Sequence, residues 1–113
     1  MYKVYATAVF EKIKNKLKKK YPHIEKDYAP LVKNLKKGIF DGVKIQGFAG
    51  TVYKTRIGSI DQKKGKSGGF RIIYYLIINK QRVYLLILYP KSMKENIKPN
   101  EINEILDRLN KFS

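Results

Sequence analysis

Residues 52–91 read VYKTRIGSIDQKKGKSGGFRIIYYLIINKQRVYLLILYPK, and the fold follows from how this stretch divides. Thr51–Ile57 alternates as a strand does, placing Val52, Lys54 and Arg56 on one face and Tyr53, Thr55 and Ile57 on the other. A polar loop, Gly58–Gly69, carries Lys63, Lys64 and Lys66 around Gly65, Gly68 and Gly69. Two continuous apolar runs follow, Phe70–Ile78 and Val83–Tyr89, as expected of strands covered on both faces. Asn79–Arg82 is a hairpin-length connection, so the two runs are expected to be antiparallel neighbours. Some of the chain's positive charge therefore sits on core strands instead of on tails, which suits a site that grips a phosphate backbone and could also cut it.

Outward from this centre, the N-terminal half is helical. Tyr2–Tyr5 reads as a short strand and Thr7 as the cap of a helix in which Phe10, Ile13, Leu17 and Tyr21 share a face, with lysines on the other. Pro22 marks a break. A second helix is expected from about Asp27, capped by that residue, with Pro30 in its first turn and Tyr28, Leu31, Val32 and Leu35 on one side. Gly38 ends it. Val43–Gln46 is a short edge piece, and Gly47 and Gly50 flank a turn. Pro99 opens a last helix with the apolar stripe Ile102, Ile105, Leu106 and Leu109. The order is β-α-α-β-β-β-α. The fold class is α+β: a small antiparallel sheet with an N-terminal helical hairpin and a C-terminal helix, all in a single domain, 1–113.

Composition bounds the function. The 113 residues include 25 basic and 9 acidic ones, a net charge of +16. Such a field favours a polyanionic partner, although all but four of the cations are lysines and an AT-rich genome would by itself raise the lysine content. No cysteine is present, which excludes disulfides and thiol catalysis and fits the cytoplasm. No apolar run approaches the roughly 20 residues of a membrane helix, and no secretory signal is read at the N-terminus.

Four cations, Lys54, Arg56, Arg71 and Lys91, stand on or beside the strands. Burying them unpaired would be costly, and the few acids lie mostly in the helical segments. They are expected to line an open concave face, either as an anion site or as a solvated sheet surface. Gly65-Lys66-Ser67 looks like the end of a nucleotide P-loop, but the glycine required five residues earlier is Ile60 and a strand follows, so that reading is rejected. The loop either wraps phosphates or is a solvated hairpin loop. His23, the one histidine, reads as incidental. Tyr74, Tyr75, Tyr84 and Tyr89 either stack bases or pack the core, with Tyr89 the strongest stacking candidate because it abuts Lys91.

With no carboxylate cluster suited to magnesium, DNA cleavage lacks both a metal and a nucleophile. RNA brings its own 2′-hydroxyl. The protein need only orient the strand, stabilise extra negative charge and move two protons, which arginine, lysine and tyrosine can do.

The block Gly50…Tyr53-Lys54-Thr55-Arg56, Gly65-Lys66-Ser67-Gly68-Gly69-Phe70-Arg71-Ile72-Ile73-Tyr74-Tyr75 and Leu85–Lys91 resembles the RelE/HigB-like toxins of type II toxin–antitoxin systems, the HigB-like branch in particular. The resemblance implies a ribosome-dependent mRNA endoribonuclease that works without metal or other cofactor. By the same resemblance Lys54 and Arg56 bind and activate around the scissile phosphate, Arg71 stabilises its charge and Lys91 helps protonate the leaving group. Lys63, Lys64, Lys66 and Tyr89 are expected to bind RNA or the ribosome. The implied partners are mRNA, the ribosome and a cognate antitoxin, either acidic or with a helix-turn-helix domain, in a complex of higher oligomeric order. Membranes are not implied. Relatives often carry a tyrosine several residues after the last basic position, whereas Ser92–Ile97 has none. The competing readings are a gyrase-directed toxin of the same fold, disfavoured by retention of the basic set, and a non-catalytic RNA-binding module.

Overall fold

The computed structural model describes residues 1–48, 50–93 and 97–111, with the Lys111 side chain outside that description. Its elements are β1 (Lys3–Ala6), α1 (Ala8–Lys18), α2 (Ile24–Lys36), β2 (Val43–Ile45), β3 (Thr51–Ile57), β4 (Phe70–Ile77), β5 (Arg82–Pro90) and α3 (Pro99–Lys111). The strands form one sheet in the order β1-β5-β4-β3-β2. This is the expected α+β fold, with one strand more than the expected order, because the edge piece after the hairpin pairs with β3 as β2. The sheet is mixed, because β1 runs parallel to β5 while the other neighbours are antiparallel. Parallel pairing of strands so distant in sequence needs a long crossover, and the intervening helices and strands supply it.

The two faces of the sheet bury different things. Phe10, Leu31 and Leu35 of the helical hairpin pack with Ile57, Phe70, Ile72, Tyr74 and Leu88 on one face. On the other, the stripe Ile102, Ile105 and Leu106 of α3 packs with Val52, Ile73, Ile87 and Tyr89. Thr7 caps α1 as its sequence position predicts: its Oγ1 accepts from Phe10 N–H at 3.1 Å and donates to Leu85 O at 2.9 Å. That second bond ties the start of the hairpin to β5.

Alternation alone would put Val83, Leu85, Ile87 and Tyr89 of β5 on one face. The register shifts after Ile73, which pairs with Ile87, because Tyr74 pairs with Leu85 and leaves Leu86 as an extra residue. Leu86 and Ile87 consequently both face α3, and Tyr89 is turned onto the face that carries Arg71.

The start of α2 differs from expectation. It begins at Ile24, after His23, and Pro30 lies inside it instead of in the first turn. Asp27 is no cap. Its Oδ1 accepts from the backbone N–H of Ile60, 33 residues away, at 3.1 Å, a demand from tertiary structure that outweighs the local capping preference. The lysine face of α1 also has an exception. Lys14 is buried and pairs with Glu11 at 2.8 Å and Glu25 at 3.5 Å, which holds its ammonium above the usual lysine range, chiefly through the Glu11 hydrogen bond.

Candidate functional site

The register between β3 and β4 sets Arg56 directly opposite Arg71, and the register between β4 and β5 sets Arg71 opposite Tyr89. Lys54 is two residues before Arg56 on β3, so it projects on the same face about 7 Å away. Lys91 follows β5, and its N–H is anchored to Gly69 O at 3.0 Å. Lys54, Arg56, Arg71 and Lys91, with Val43, line one hollow of about 300 Å³. No carboxylate is among the described residues that line it. The structure thus brings together the four cations singled out in the sequence.

Arg71 is the least accessible of them, 6% exposed. Its Nη1 donates to Lys66 O at 3.0 Å and Phe70 O at 3.1 Å, and its Nη2 to Ser67 O at 2.8 Å. Three of the five N–H groups of a guanidinium therefore hold backbone carbonyls, two in the glycine- and lysine-rich loop and one at the start of β4. The charge so fixed belongs to a side chain that lines the hollow. Burial lowers its pKa from the ordinary arginine value, with the neighbouring Arg56 charge adding to the effect. Arginine remains charged regardless, so a positive group is held in a poorly solvated place where an added anion would be welcome.

The loop itself is ordered by hydrogen bonds. Ser59 and Lys64 exchange backbone bonds at 2.8 and 3.0 Å, and Gln62 N–H donates to Ser59 Oγ at 3.2 Å. Its tip is tied to the start of α2: the Asp61 carboxylate accepts from His23 N–H at 2.8 Å and lies 2.8 Å from His23 Nδ1. His23 thus has a structural partner 38 residues away, which no local signal in the sequence marks. Lys66 lines a groove with Lys54 and Arg56. Lys63 and Lys64 do not join the cation hollow; they border a separate open hollow with Lys26.

The His23 hydrogen bond holds the Asp61 carboxyl below the usual carboxylate range. A carboxyl whose folded pKa is depressed stabilises the fold above its unfolded pKa, near 4, and loses that contribution as pH falls through the folded value. Asp61→Asn is therefore expected to melt at a lower temperature than the wild type at neutral pH. The gap should close progressively below about pH 4. A gap of constant size across that range in paired thermal melts would remove Asp61 from this role.

Tyr89 stands differently from its sequence reading. It is 5% exposed, enclosed in the core under α3, so its ring is not presented to a base. Its hydroxyl is buried with no hydrogen-bond partner among the described residues, and burial raises its pKa. Tyr74 is also core. It stacks on Tyr53 with ring centroids 5.3 Å apart and donates its hydroxyl hydrogen to Asp41 O at 2.6 Å. Tyr75 and Tyr84 are half-buried and stack on each other across β4 and β5. Part of the stretch Ser92–Ile97, residues 94–96, lies outside the described residues. Among the described residues, no group of three His, Asp or Glu side chains is placed to hold a metal ion, and no helix is long and apolar enough to cross a membrane.

A mixed sheet flanked by a helical hairpin and a single helix, with four cations lining one hollow, defines a small basic α+β domain. The family described as the RelE toxin of the RelE/RelB toxin–antitoxin system matches residues 2–111. The chain belongs to the RelE toxin family, and so is the toxin of a toxin–antitoxin system, whose partner is an antitoxin.

Proposed function

We propose that this toxin is a ribosome-dependent mRNA endoribonuclease that cleaves through the substrate's own 2′-hydroxyl. The observation that carries the reading is the convergence of Lys54, Arg56, Arg71 and Lys91 on one hollow with no carboxylate among the described residues that line it. A phosphate seated there meets cations from three directions. Attack of the 2′-oxygen on the adjacent phosphorus forms the new P–O bond and adds negative charge to the phosphoryl oxygens. Arg71 and Arg56 oppose that charge from fixed positions, which is where electrostatic catalysis is most effective. The P–O5′ bond then breaks. The 2′-hydroxyl proton leaves to a base and another proton reaches the 5′-oxygen, yielding a 2′,3′-cyclic phosphate and a 5′-hydroxyl.

Lys54, beside Arg56, is the group for activating the 2′-hydroxyl, and Lys91, at the end of β5, the group for protonating the leaving oxygen. The net charge of +16 supports docking on the ribosome, whose RNA is a polyanion. Such a site works in the cytoplasm, where the antitoxin, acidic or carrying a helix-turn-helix domain, covers it in a complex of higher order.

The experiment is induction of the toxin without antitoxin, followed within minutes by mapping of mRNA 5′ ends. Cuts inside translated frames, bearing 5′-hydroxyls and disappearing when initiation is blocked, are the expected result. Growth arrest without such cuts would overturn the reading and direct attention to gyrase, through DNA supercoiling.

A further inference from the structure

The chain has four arginines among its 25 basic residues, and the fold divides them between two hollows. Arg56 and Arg71 line the cation hollow. Arg82, at the start of β5, and Arg108, in the last turn of α3, meet at a second hollow of about 350 Å³, within the size range of small-ligand sites. Arg82 lies opposite Ile77, six residues along β4 from Arg71, a separation of about 20 Å at the usual rise of a strand. The two hollows therefore stand at opposite ends of the sheet, and they share no lining residue.

No carboxylate is among the described residues that line the second hollow. Among the described residues, neither of its guanidiniums enters an ion pair. Arg82 is half-buried and Arg108 exposed, and the β1–β5 register sets Lys3 beside Arg82. Lysine supplies the rest of the positive charge as compact, mobile ammoniums. The guanidinium fork is the form suited to one discrete phosphate, and two forks on separate elements can hold it from two sides.

The hollow also has an apolar side, formed by Tyr84, Ile105 and Leu109. Tyr84 is the middle of three rings that stack across the sheet. Tyr5 of β1 lies 5.4 Å from it between centroids, and Tyr75 of β4 lies 6.4 Å away on the other side. Both faces of Tyr84 are thus taken, and its edge is left to receive the face of another aromatic ring. A simple anion leaves this apolar side unused. A nucleoside phosphate uses both sides: its phosphate meets the two guanidiniums while its base lies against the Tyr84 edge and the aliphatic side chains.

We propose that this hollow is a nucleotide site, separate from the cation hollow, that takes one nucleoside phosphate between Arg82, Arg108 and Tyr84. The ligand is either a free mononucleotide or one nucleotide of a single-stranded RNA, since both present the same phosphate and base. The site is independent of the nuclease reading, because none of its residues lines the cation hollow.

The test is an amide NMR titration of the purified toxin with adenosine 5′-monophosphate, with adenosine and inorganic phosphate as separate controls. It is repeated on Arg82→Gln and Arg108→Gln, which keep a long polar side chain at positions outside the core and remove the charge. The mononucleotide is expected to shift the amides of Arg82, Tyr84 and Arg108 and to bind there more tightly than either control. Each variant should weaken that binding by about tenfold, the scale of one charge-assisted hydrogen bond. Any shifts around Arg56 and Arg71 should be the same in the variants as in the wild type. An uncleavable 2′-O-methyl RNA tetranucleotide tells the two sources apart: tighter binding than the mononucleotide assigns the site to an RNA strand, and weaker binding assigns it to a free nucleotide. Absence of shifts at Arg82, Tyr84 and Arg108, or shifts undiminished in both variants, overturns the site. Inorganic phosphate bound as tightly as the mononucleotide overturns the nucleotide assignment and leaves a bare anion site. The nuclease reading is judged by the mapped mRNA cuts and stands whichever way the titration falls.

Discussion

Arg71→Ala is expected to reduce the rate of mRNA cutting by about 10² or more, the scale of losing one preorganised donor to a developing charge. Two effects combine. The hollow loses its most deeply set cation, and the carbonyls of Lys66, Ser67 and Phe70 lose the donor that holds them. Arg71→Lys separates the two. An ammonium restores charge but not the planar fork that reaches three carbonyls at once. If charge at the phosphate dominates, the lysine variant recovers part of the lost rate; if loop order dominates, it behaves like alanine. Cutting assayed on translating ribosomes, with folding checked by circular dichroism, is the measurement. Undiminished cutting and growth arrest from a well-expressed Arg71→Ala toxin would take Arg71 out of the mechanism.

Gly69→Ala should be among the most damaging small changes to the scaffold of the site. A Cβ at Gly69 would lie 2.2 Å from Ile57 O and 2.9 Å from the backbone of Gly58, neither of which is the free end of a side chain. The backbone must move, and overpacking of this kind costs about 3 kcal/mol, the upper part of its usual range. The movement also reaches the hollow, because Gly69 O accepts from Lys91 N–H at 3.0 Å. Loss of cutting should therefore accompany loss of stability. Gly65→Ala is the internal control: a Cβ there meets nothing within 4 Å, and its effect should stay within about 0.5 kcal/mol. Urea unfolding of both variants checks the pair. Equal stabilities would show that the β3–β4 turn can relax around the methyl group.

The features legible in the sequence were those carried by neighbours in the chain. Period-two spacing placed Lys54 and Arg56 on one face of β3, and period-3.6 spacing identified the α3 stripe that packs under the sheet. Thr7 announced itself as a cap because capping is a contact over three residues. The helix start at His23 was misjudged because the aspartate expected as cap is engaged instead by Ile60 from the distant loop. The His23–Asp61 tie was invisible for the same reason.

Tyr89 shows where local reading stops. Its place beside Lys91 suggested an exposed ring, but the extra residue at Leu86 resets the alternation of β5 and turns Tyr89 under α3. Arg71 is a second case. The sequence marks it as a cation at the start of a buried strand, and only the folded loop shows that most of its donors serve backbone carbonyls.

By itself, then, the sequence determined the α+β class, the order of the elements apart from the edge strand β2, the excess of positive charge and the set of cations available to a phosphate. Propensity, periodicity and net charge are properties of short stretches or of sums, and both survive without coordinates. The tertiary structure decided that β1 pairs in parallel with β5, which face Tyr89 takes, how Arg71 spends its hydrogen bonds, and that Arg82 and Arg108 meet at a second hollow. Each of these depends on register or contact between residues far apart in the chain, where hydrogen-bond partners are chosen by packing and not by sequence neighbours.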